Sequence, residues 1–228
     1  AALGAPVGNK AKQDFTLPVW LNNAPLWHKR LFLAALFGAE LSAPKPYQAR
    51  NYNFYSPVLS LTKHEGYISS GKQFLRDIAR LLDEFGVETK VGSERVEKHA
   101  HRLRLVFSTQ PASLQNLWGK IGFEYHRERR TRANLALQYL KRKGAVVAER
   151  THAAEQAAAL RARGVTRAEI LAQVGSPFVN ARFVERSLYQ GRTTAPRVAA
   201  TFVTFDVYCA EAAAGLGNSG MVWEQIAQ

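Results

Sequence analysis

The chain has 228 residues, of which 46% are hydrophobic and 21% charged, so it is long and apolar enough for one large domain or two modest ones and is not extensively disordered. Its 31 Lys and Arg outnumber its 18 Asp and Glu, and the net charge of +13 points to a polyanionic partner, either nucleic acid or an anionic membrane surface. No apolar run is long enough to cross a bilayer and no signal peptide is recognisable, so we expect a soluble cytoplasmic chain. The single cysteine, Cys209, excludes an internal disulfide and a cysteine-rich zinc site.

The first helix predicted along the chain is unusually smooth on one side. Residues 1–16 are small and aperiodic and are interpreted as a lead-in segment, and a helix is then predicted from about Pro25 to Glu40. One flank of this helix carries small side chains that would let a second helix approach closely, namely Ala34, Ala35, Gly38 and Ala39. The alternative is an ordinary packing helix that ends in a surface glutamate.

The segment Leu33–Leu41 resembles the dodecapeptide motif of LAGLIDADG homing endonucleases. Four positions match the motif and Glu40 falls on its catalytic acid, whereas Gly38 stands where the family often has a first acid and Leu41 replaces the closing glycine. The resemblance implies that two motif helices pack together through the small face. It also implies that Glu40 is a catalytic residue that holds Mg²⁺ through its carboxylate oxygen.

Strands and helices alternate in the predicted elements that follow. Strands are expected over residues 48–54, 57–63, 87–98 and 102–109. A helix is expected over residues 70–85, where apolar side chains recur at helical spacing before Gly86, and another from Pro111 to Ile121.

This order of elements predicts an α+β fold, αββαββα, whose antiparallel sheet has one face covered by helices and one face open. The LAGLIDADG half-domain has the same order and uses its sheet as a saddle in the major groove of DNA. The uncovered face of the predicted sheet is therefore the expected contact with double-stranded DNA. The residues assigned to it are Gln48, Arg50, Asn51, Arg102 and Arg104, and Lys63 of the second predicted strand is a further candidate for DNA binding. A solvated face that needs charge only for solubility is the alternative.

A cationic stretch follows Gly122 and leads into a predicted amphipathic helix; it contains Arg127, Arg129, Arg130 and Arg132. In the LAGLIDADG family a glycine-aromatic turn precedes a basic residue that reaches the active site, and Arg129 aligns with that residue. The resemblance thus implies a second catalytic residue. The family usually has lysine there, and arginine keeps the charge but cannot shuttle a proton. The alternative is that these arginines contact only phosphates.

From residue 145 the chain becomes alanine-rich, which predicts an endonuclease domain over residues 17–144 and a helical extension over residues 145–228. Thr166 and Glu169 predict a capping box that opens a short helix, and a turn at 175–177 leads to a second helix over residues 178–189. This is a helix-turn-helix pattern, although a generic helical hairpin would look the same. Its candidate DNA contacts are Asn180, Arg182, Arg186, Arg192 and Arg197.

Residues 217–226 resemble the strand by which intein endonuclease inserts rejoin their splicing domain. The expected function is therefore that of an intein-embedded homing endonuclease that cuts a specific double-stranded DNA site with Mg²⁺. Because one motif is found, the expected assembly is a homodimer through the small face, in which the partner's Glu40 supplies the second acid. The alternative to the dimer is a monomer in which a degenerate helix, near residues 132–141, takes the place of the partner helix. The alternatives are a DNA-binding protein of the same fold that has lost cleavage and an RNA-binding maturase-like module.

Overall fold

The computed structural model describes residues 8–47, 52–92, 95–97, 100–189, 198–199 and 201–218. Its described residues fall into two compact units. The first contains the residues up to Leu137 and again those from Leu216, and the second runs from Gln138 to Gly215. No helix in the described ranges has the length and apolar character needed to cross a membrane.

Helix α1 spans Leu26–Glu40, close to the predicted span, and its small face lies against the chain's own backbone. The N–H of Glu124 donates to the carbonyl oxygen of Ala34 at 2.9 Å. At Gly38 the approach is closer still, because a Cβ atom there would overlap with the carbonyl oxygen of Glu124. The small residues thus permit a close backbone crossing, but with the segment around Glu124.

An antiparallel sheet of four strands forms the centre of the first unit. Its strands are β1 (Val58–His64), β2 (Thr89–Val91), β3 (Arg95–Glu97) and β4 (Ala100–Phe107). Strand β4 is central, with β1 along one edge and β2 and β3 along the other. The strand predicted at 48–54 is not formed in its described part, where Phe54 makes an isolated bridge to Pro46.

Two helices cover the inner face of this sheet. Helix α2 spans Ile68–Asp83 and packs on β1, β2 and β4. It ends at Asp83, two residues before the predicted end, and the chain then turns through Gly86, whose φ of +71° is a left-handed conformation that favours glycine. On the α1 side the rings of Phe37 and Phe107 meet edge to face at 5.6 Å. Leu103, Leu105 and Phe107 alternate along β4 and are buried on this face of the sheet.

The chain then turns back toward α1. Helix α3 spans Pro111–Asn116 and continues as one π-helical turn over Leu117–Ile121. Gly122 ends that turn, and the next residues reach α1 at Glu124 before helix α4 begins at Arg127. The short loop between the π turn and α4 is thus the segment that packs on the small face of α1.

Helix α4 spans Arg127–Ala162 without a break over 36 residues. The boundary predicted between residues 144 and 145 therefore lies inside a helix, and the two compact units divide at Leu137 and Gln138 instead. The composition does become alanine-rich near residue 145, but this change occurs within α4 and does not interrupt the hydrogen bonds of the helix.

Helices α5 (Arg167–Val174) and α6 (Ala181–Tyr189) belong to the second unit. The capping box at the start of α5 is confirmed, since Thr166 accepts from the N–H of Glu169 and Glu169 accepts from the N–H of Thr166. Helix α6 begins three residues later than predicted, because Asn180 caps it by accepting from the N–H of Phe183 at 3.0 Å. The core of this unit contains Ala153, Ala157, Ile170, Val174, Val179 and Val184.

Helix α7 spans Phe205–Asn218. The strand expected at residues 217–226 is therefore not formed at Gly217 and Asn218, which are helical, and its other residues lie outside the described ranges.

Two helical glycines in different surroundings test the crossing at α1. Replacing Gly38 with Ala should lower the free energy of unfolding by about 1 to 3 kcal/mol or more, because the new methyl group meets a backbone carbonyl that cannot rotate away. Replacing Gly144 with Ala should raise it by about 0.5 to 1 kcal/mol, since that position in α4 is exposed and nothing lies within 4 Å of the added atom. Urea unfolding of both variants measures the difference, and equal stabilities would contradict the crossing.

Candidate nucleic-acid interface

The face of the sheet turned away from α1 and α2 carries polar and cationic side chains, as alternation requires. Ser60 lies opposite Arg104 and Thr62 opposite Arg102 in the β1–β4 register. Lys90 on β2 lies opposite Val106 on the same side. We call this surface the open face; its members are Ser60, Thr62, Lys90, Arg102 and Arg104. Three of these five residues are cations, so the surface suits an anionic ligand.

Lys63 does not belong to the open face. It is 0% exposed, and its Nζ donates to the carbonyl oxygens of Lys10 at 2.9 Å and Gln13 at 2.6 Å, above the ring of Phe15. Burial lowers the pKa of Lys63 below its ordinary value, and the charge of Asp14 partly opposes this shift. The assignment of Lys63 to nucleic-acid binding is wrong, because its side chain anchors the lead-in segment.

Arg129 closes the end of helix α1. Its Nη1 donates to the carbonyl oxygen of Gly38 at 2.9 Å and to that of Phe37 at 3.4 Å. The last carbonyls of a helix have no partner within the helix, and a cation there also opposes the partial negative charge of the helix end. The observed contacts of Arg129 are thus those of a structural partner of α1, which the sequence comparison with a catalytic lysine did not anticipate.

Glu40 lies exposed at the same end of α1. Its Oε1 is 3.8 Å from Nζ of Lys10, and both side chains are about half exposed. Among the described residues there is no group of three or more His, Cys, Asp and Glu that could hold a metal ion. In this structure the carboxylate of Glu40 thus faces a cation, and its role as a Mg²⁺ ligand stays a prediction.

The four residues expected to form a dimer interface are not equivalent. Ala34 and Gly38 are buried against the Glu124 segment, Ala35 is half-buried and Ala39 is exposed. Two of the four are thus occupied within the chain. The predicted homodimer face is wrong at Ala34 and Gly38, because a loop rather than a second helix fills the space over them.

The remaining arginines of the cationic stretch have mixed surroundings. Arg132 Nε donates to the carbonyl oxygen of Pro44 at 2.6 Å, and Arg130 lies 3.8 Å from the carboxylate of Glu124. Arg127 is exposed at the first turn of α4. Arg130 and Arg132 thus support the fold around the small face, which leaves Arg127 as the surface cation of this group.

On helix α6, Arg182 and Arg186 are exposed, whereas the side chain of Asn180 is used as the helix cap. Five further candidates lie outside the described residues, namely Gln48, Arg50, Asn51, Arg192 and Arg197.

Two features were missed from the sequence. Lys90 belongs to the open face but was not predicted to bind a ligand, although the alternation of side chains along β2 could have placed it there. A cluster of exposed rings also lies at the start of α1, where the ring of His28 is 3.5 Å from that of Trp27 and 6.4 Å from that of Trp20. Its only sequence signal was the spacing of these residues, which does not separate an exposed cluster from a buried one.

No protein-family model matches the chain. It is 36% identical over 211 residues to a tRNA-splicing ligase RtcB of Methanopyrus kandleri, a match that covers 90% of this chain and 20% of the ligase. A tRNA-splicing ligase RtcB of Pyrococcus furiosus is 35% identical over 92% of this chain and 21% of its own length. The DNA-directed RNA polymerase subunit Rpo1N of Methanocaldococcus jannaschii is 33% identical over 61% of this chain and 10% of its own length. The chain thus spans about a fifth of the length of the ligases that it matches.

These similarities correct the functional assignment made from the motif. Relatives aligned over most of the chain are named tRNA-splicing ligases, so the assignment to the LAGLIDADG homing endonucleases is wrong. The expected DNA cleavage, intein origin and homodimer on double-stranded DNA all depended on that assignment, so these predictions are wrong as well. Of the alternatives, the RNA-binding one is closer to the names of these relatives, although they are not named maturases.

The anchoring role of Lys63 can be tested by its replacement with Met, which has a similar length and no charge. Loss of the two hydrogen bonds should lower the free energy of unfolding by about 1 to 3 kcal/mol and should speed amide hydrogen exchange over residues 9–17. Lys12→Met is the matched control, because Lys12 lies in the same segment and is exposed. Unchanged exchange in Lys63→Met would show that other contacts hold the segment.

Proposed function

We propose that this chain is an RNA-binding module that acts within longer nucleic-acid-processing proteins and contributes binding rather than bond-making chemistry. The open face would contact the RNA backbone. The observation that carries the proposal is the juxtaposition of arginine and hydroxyl side chains on that face, at Arg104 and Ser60 and at Arg102 and Thr62.

The role of a module is supported by how the relatives match. The similar segments make up about a fifth of the ligases and a tenth of the polymerase subunit. Each match covers more than half of this chain, so the matches overlap. A ligase and a polymerase subunit are named for different reactions. A segment that both share is therefore better suited to a task that both require, such as holding nucleic acid, than to either reaction.

The choice of RNA rests on the ligases, which are named for tRNA splicing, and on the chemistry of the open face. RNA duplexes present phosphates and 2′-hydroxyls across a wide, shallow minor groove. Arginine side chains suit the phosphates, and serine or threonine hydroxyls can both donate to and accept from a 2′-hydroxyl.

The same relatives support an intracellular location for the chain.

Salt dependence gives the first test of this proposal. Affinity for a short RNA duplex should fall steeply with salt, because bound phosphates release counterions. Arg104→Gln should weaken binding and reduce the slope of log affinity against log salt by about one unit if Arg104 contacts one phosphate. The matched control is Arg76→Gln, which removes the same charge from the exposed side of α2, away from the open face. Fluorescence anisotropy measures both, and equal effects of the two substitutions would contradict the assignment of the open face.

Two further outcomes bear on the proposal. Tighter binding to a DNA duplex of the same sequence at the same salt concentration would overturn the choice of RNA. Ligation of two RNA halves by the chain alone would overturn the view that it contributes only binding. We expect neither, and gel electrophoresis of the RNA after incubation detects the second.

A further inference from the structure

Beside the open face lies a cavity of about 770 Å³, bounded by the lead-in segment, α1, α2 and β1. Phe32 and Leu36 of α1 form an apolar wall of the cavity, and Trp20, in the segment that precedes α1, forms an aromatic wall. Lys10 and Glu40 provide charged groups in the same lining. We call this cavity the aromatic cleft. Its size lies in the range of sites that enclose a small ligand.

Trp20 is held with one side open to solvent. It is 50% exposed, and its ring meets that of His28 edge to face at 90°. The same His28 ring packs on Trp27, which is 58% exposed. An exposed tryptophan is costly in water, but an aromatic ring fixed by its neighbours is already ordered for stacking on a flat ligand.

The charged groups of the cleft indicate what kind of flat ligand would fit. Nζ of Lys10 and Oε1 of Glu40 are 3.8 Å apart and both side chains are about half exposed, so a donor and an acceptor stand side by side in the lining. The pairing edge of a nucleobase presents an adjacent acceptor and donor. That edge is free only when the base is unpaired, and bases of this kind are recognised by stacking on aromatic rings together with hydrogen bonds to the edge.

The cleft is also continuous with the open face. Ser60 and Thr62 of β1 belong to the open face and line the cleft as well. An RNA backbone on the open face would therefore pass the mouth of the cleft.

We propose that the aromatic cleft binds one unpaired nucleobase of the RNA that lies on the open face. Trp20 stacks on the base, and Glu40 and Lys10 exchange their mutual contact for hydrogen bonds to its pairing edge. This inference rests on the proposed function, and it adds to it a preference for duplexes that carry a bulged or looped nucleotide.

The test compares three RNA duplexes that differ at one position: fully paired, with one bulged nucleotide, and with an abasic residue in the bulge. The parent protein should bind the bulged duplex about tenfold more tightly than the paired one, the effect expected for one stacked base. The abasic bulge should lose this gain, because it keeps the backbone distortion and removes the base. An equal gain with the abasic bulge would overturn the proposal.

Protein variants assign the gain to the cleft. Trp20→Ala should abolish it, Trp20→Phe should keep part of it, and neither should change binding to the paired duplex. Tyr189→Ala is the control, since Tyr189 is a similarly exposed aromatic residue on helix α6. If Trp20→Phe behaves like Trp20→Ala while both variants melt at the temperature of the parent, stacking on Trp20 is excluded.

The outcomes also separate the two proposals. Binding of the paired duplex without any gain from the bulge would overturn the cleft and leave the RNA-binding module intact. No binding to any of the three duplexes would overturn the module itself. Light scattering without RNA tests whether a second copy of the chain occupies the cleft instead. If the chain self-associates and Trp20→Ala abolishes the association, the cleft is a protein contact and the nucleobase proposal is overturned.

Discussion

The close crossing of helix α1 and the backbone at Glu124 is the constraint on which the first unit depends. It leaves no space for a Cβ atom at position 38, so the loop before α4 can pack on α1 in this way only when that residue is glycine. The loop then delivers Arg129, one turn into α4, to the carbonyls of Phe37 and Gly38. The same stretch of chain therefore covers the flank of α1 and donates to two carbonyls of its last turn.

Part of the positive charge of the chain is used inside the fold. Lys29 pairs with Glu84 at 2.8 Å, Lys63 binds two carbonyls of the lead-in segment, and Arg150 Nη1 donates to the carbonyl of Phe178 at 2.6 Å. Buried or half-buried cations of this kind need several acceptors to offset their lost hydration. Net charge alone consequently overstates the surface available to a polyanion. On the open face, Lys90 and Arg104 are exposed to a ligand.

Local signals in the sequence were enough for the elements whose ends depend on neighbouring residues. The capping box at Thr166 and Glu169 marked the start of α5, and Gly86 placed the end of α2 to within three residues, because a cap and a left-handed glycine act over a few residues. Tertiary partners could not be read in this way. The small face of α1 indicated a close approach, but nothing near it indicated that the partner would be the backbone at Glu124.

Lys63 shows a different limit. Leu59, Leu61 and Lys63 alternate along β1, so the pattern itself pointed the lysine toward the covered face, and only its residue type suggested solvent. The short motif around Glu40 was misleading for a related reason. A few small and apolar residues that allow a close crossing satisfy the same steric requirement in many proteins, whereas similarity to the ligases extends over most of the chain.

Helix α4 runs from the first unit into the second without interruption. Residues from Arg127 to Leu137 belong to the first unit and the rest of the helix to the second, with no loop between them. Helical hydrogen bonds form cooperatively along a segment, so we expect fraying of α4 on one side of this boundary to weaken the turns on the other side. At Leu137 and Gln138 the boundary is thus a helical turn and not a linker. A cut there would remove intrahelical hydrogen bonds from the ends of both halves.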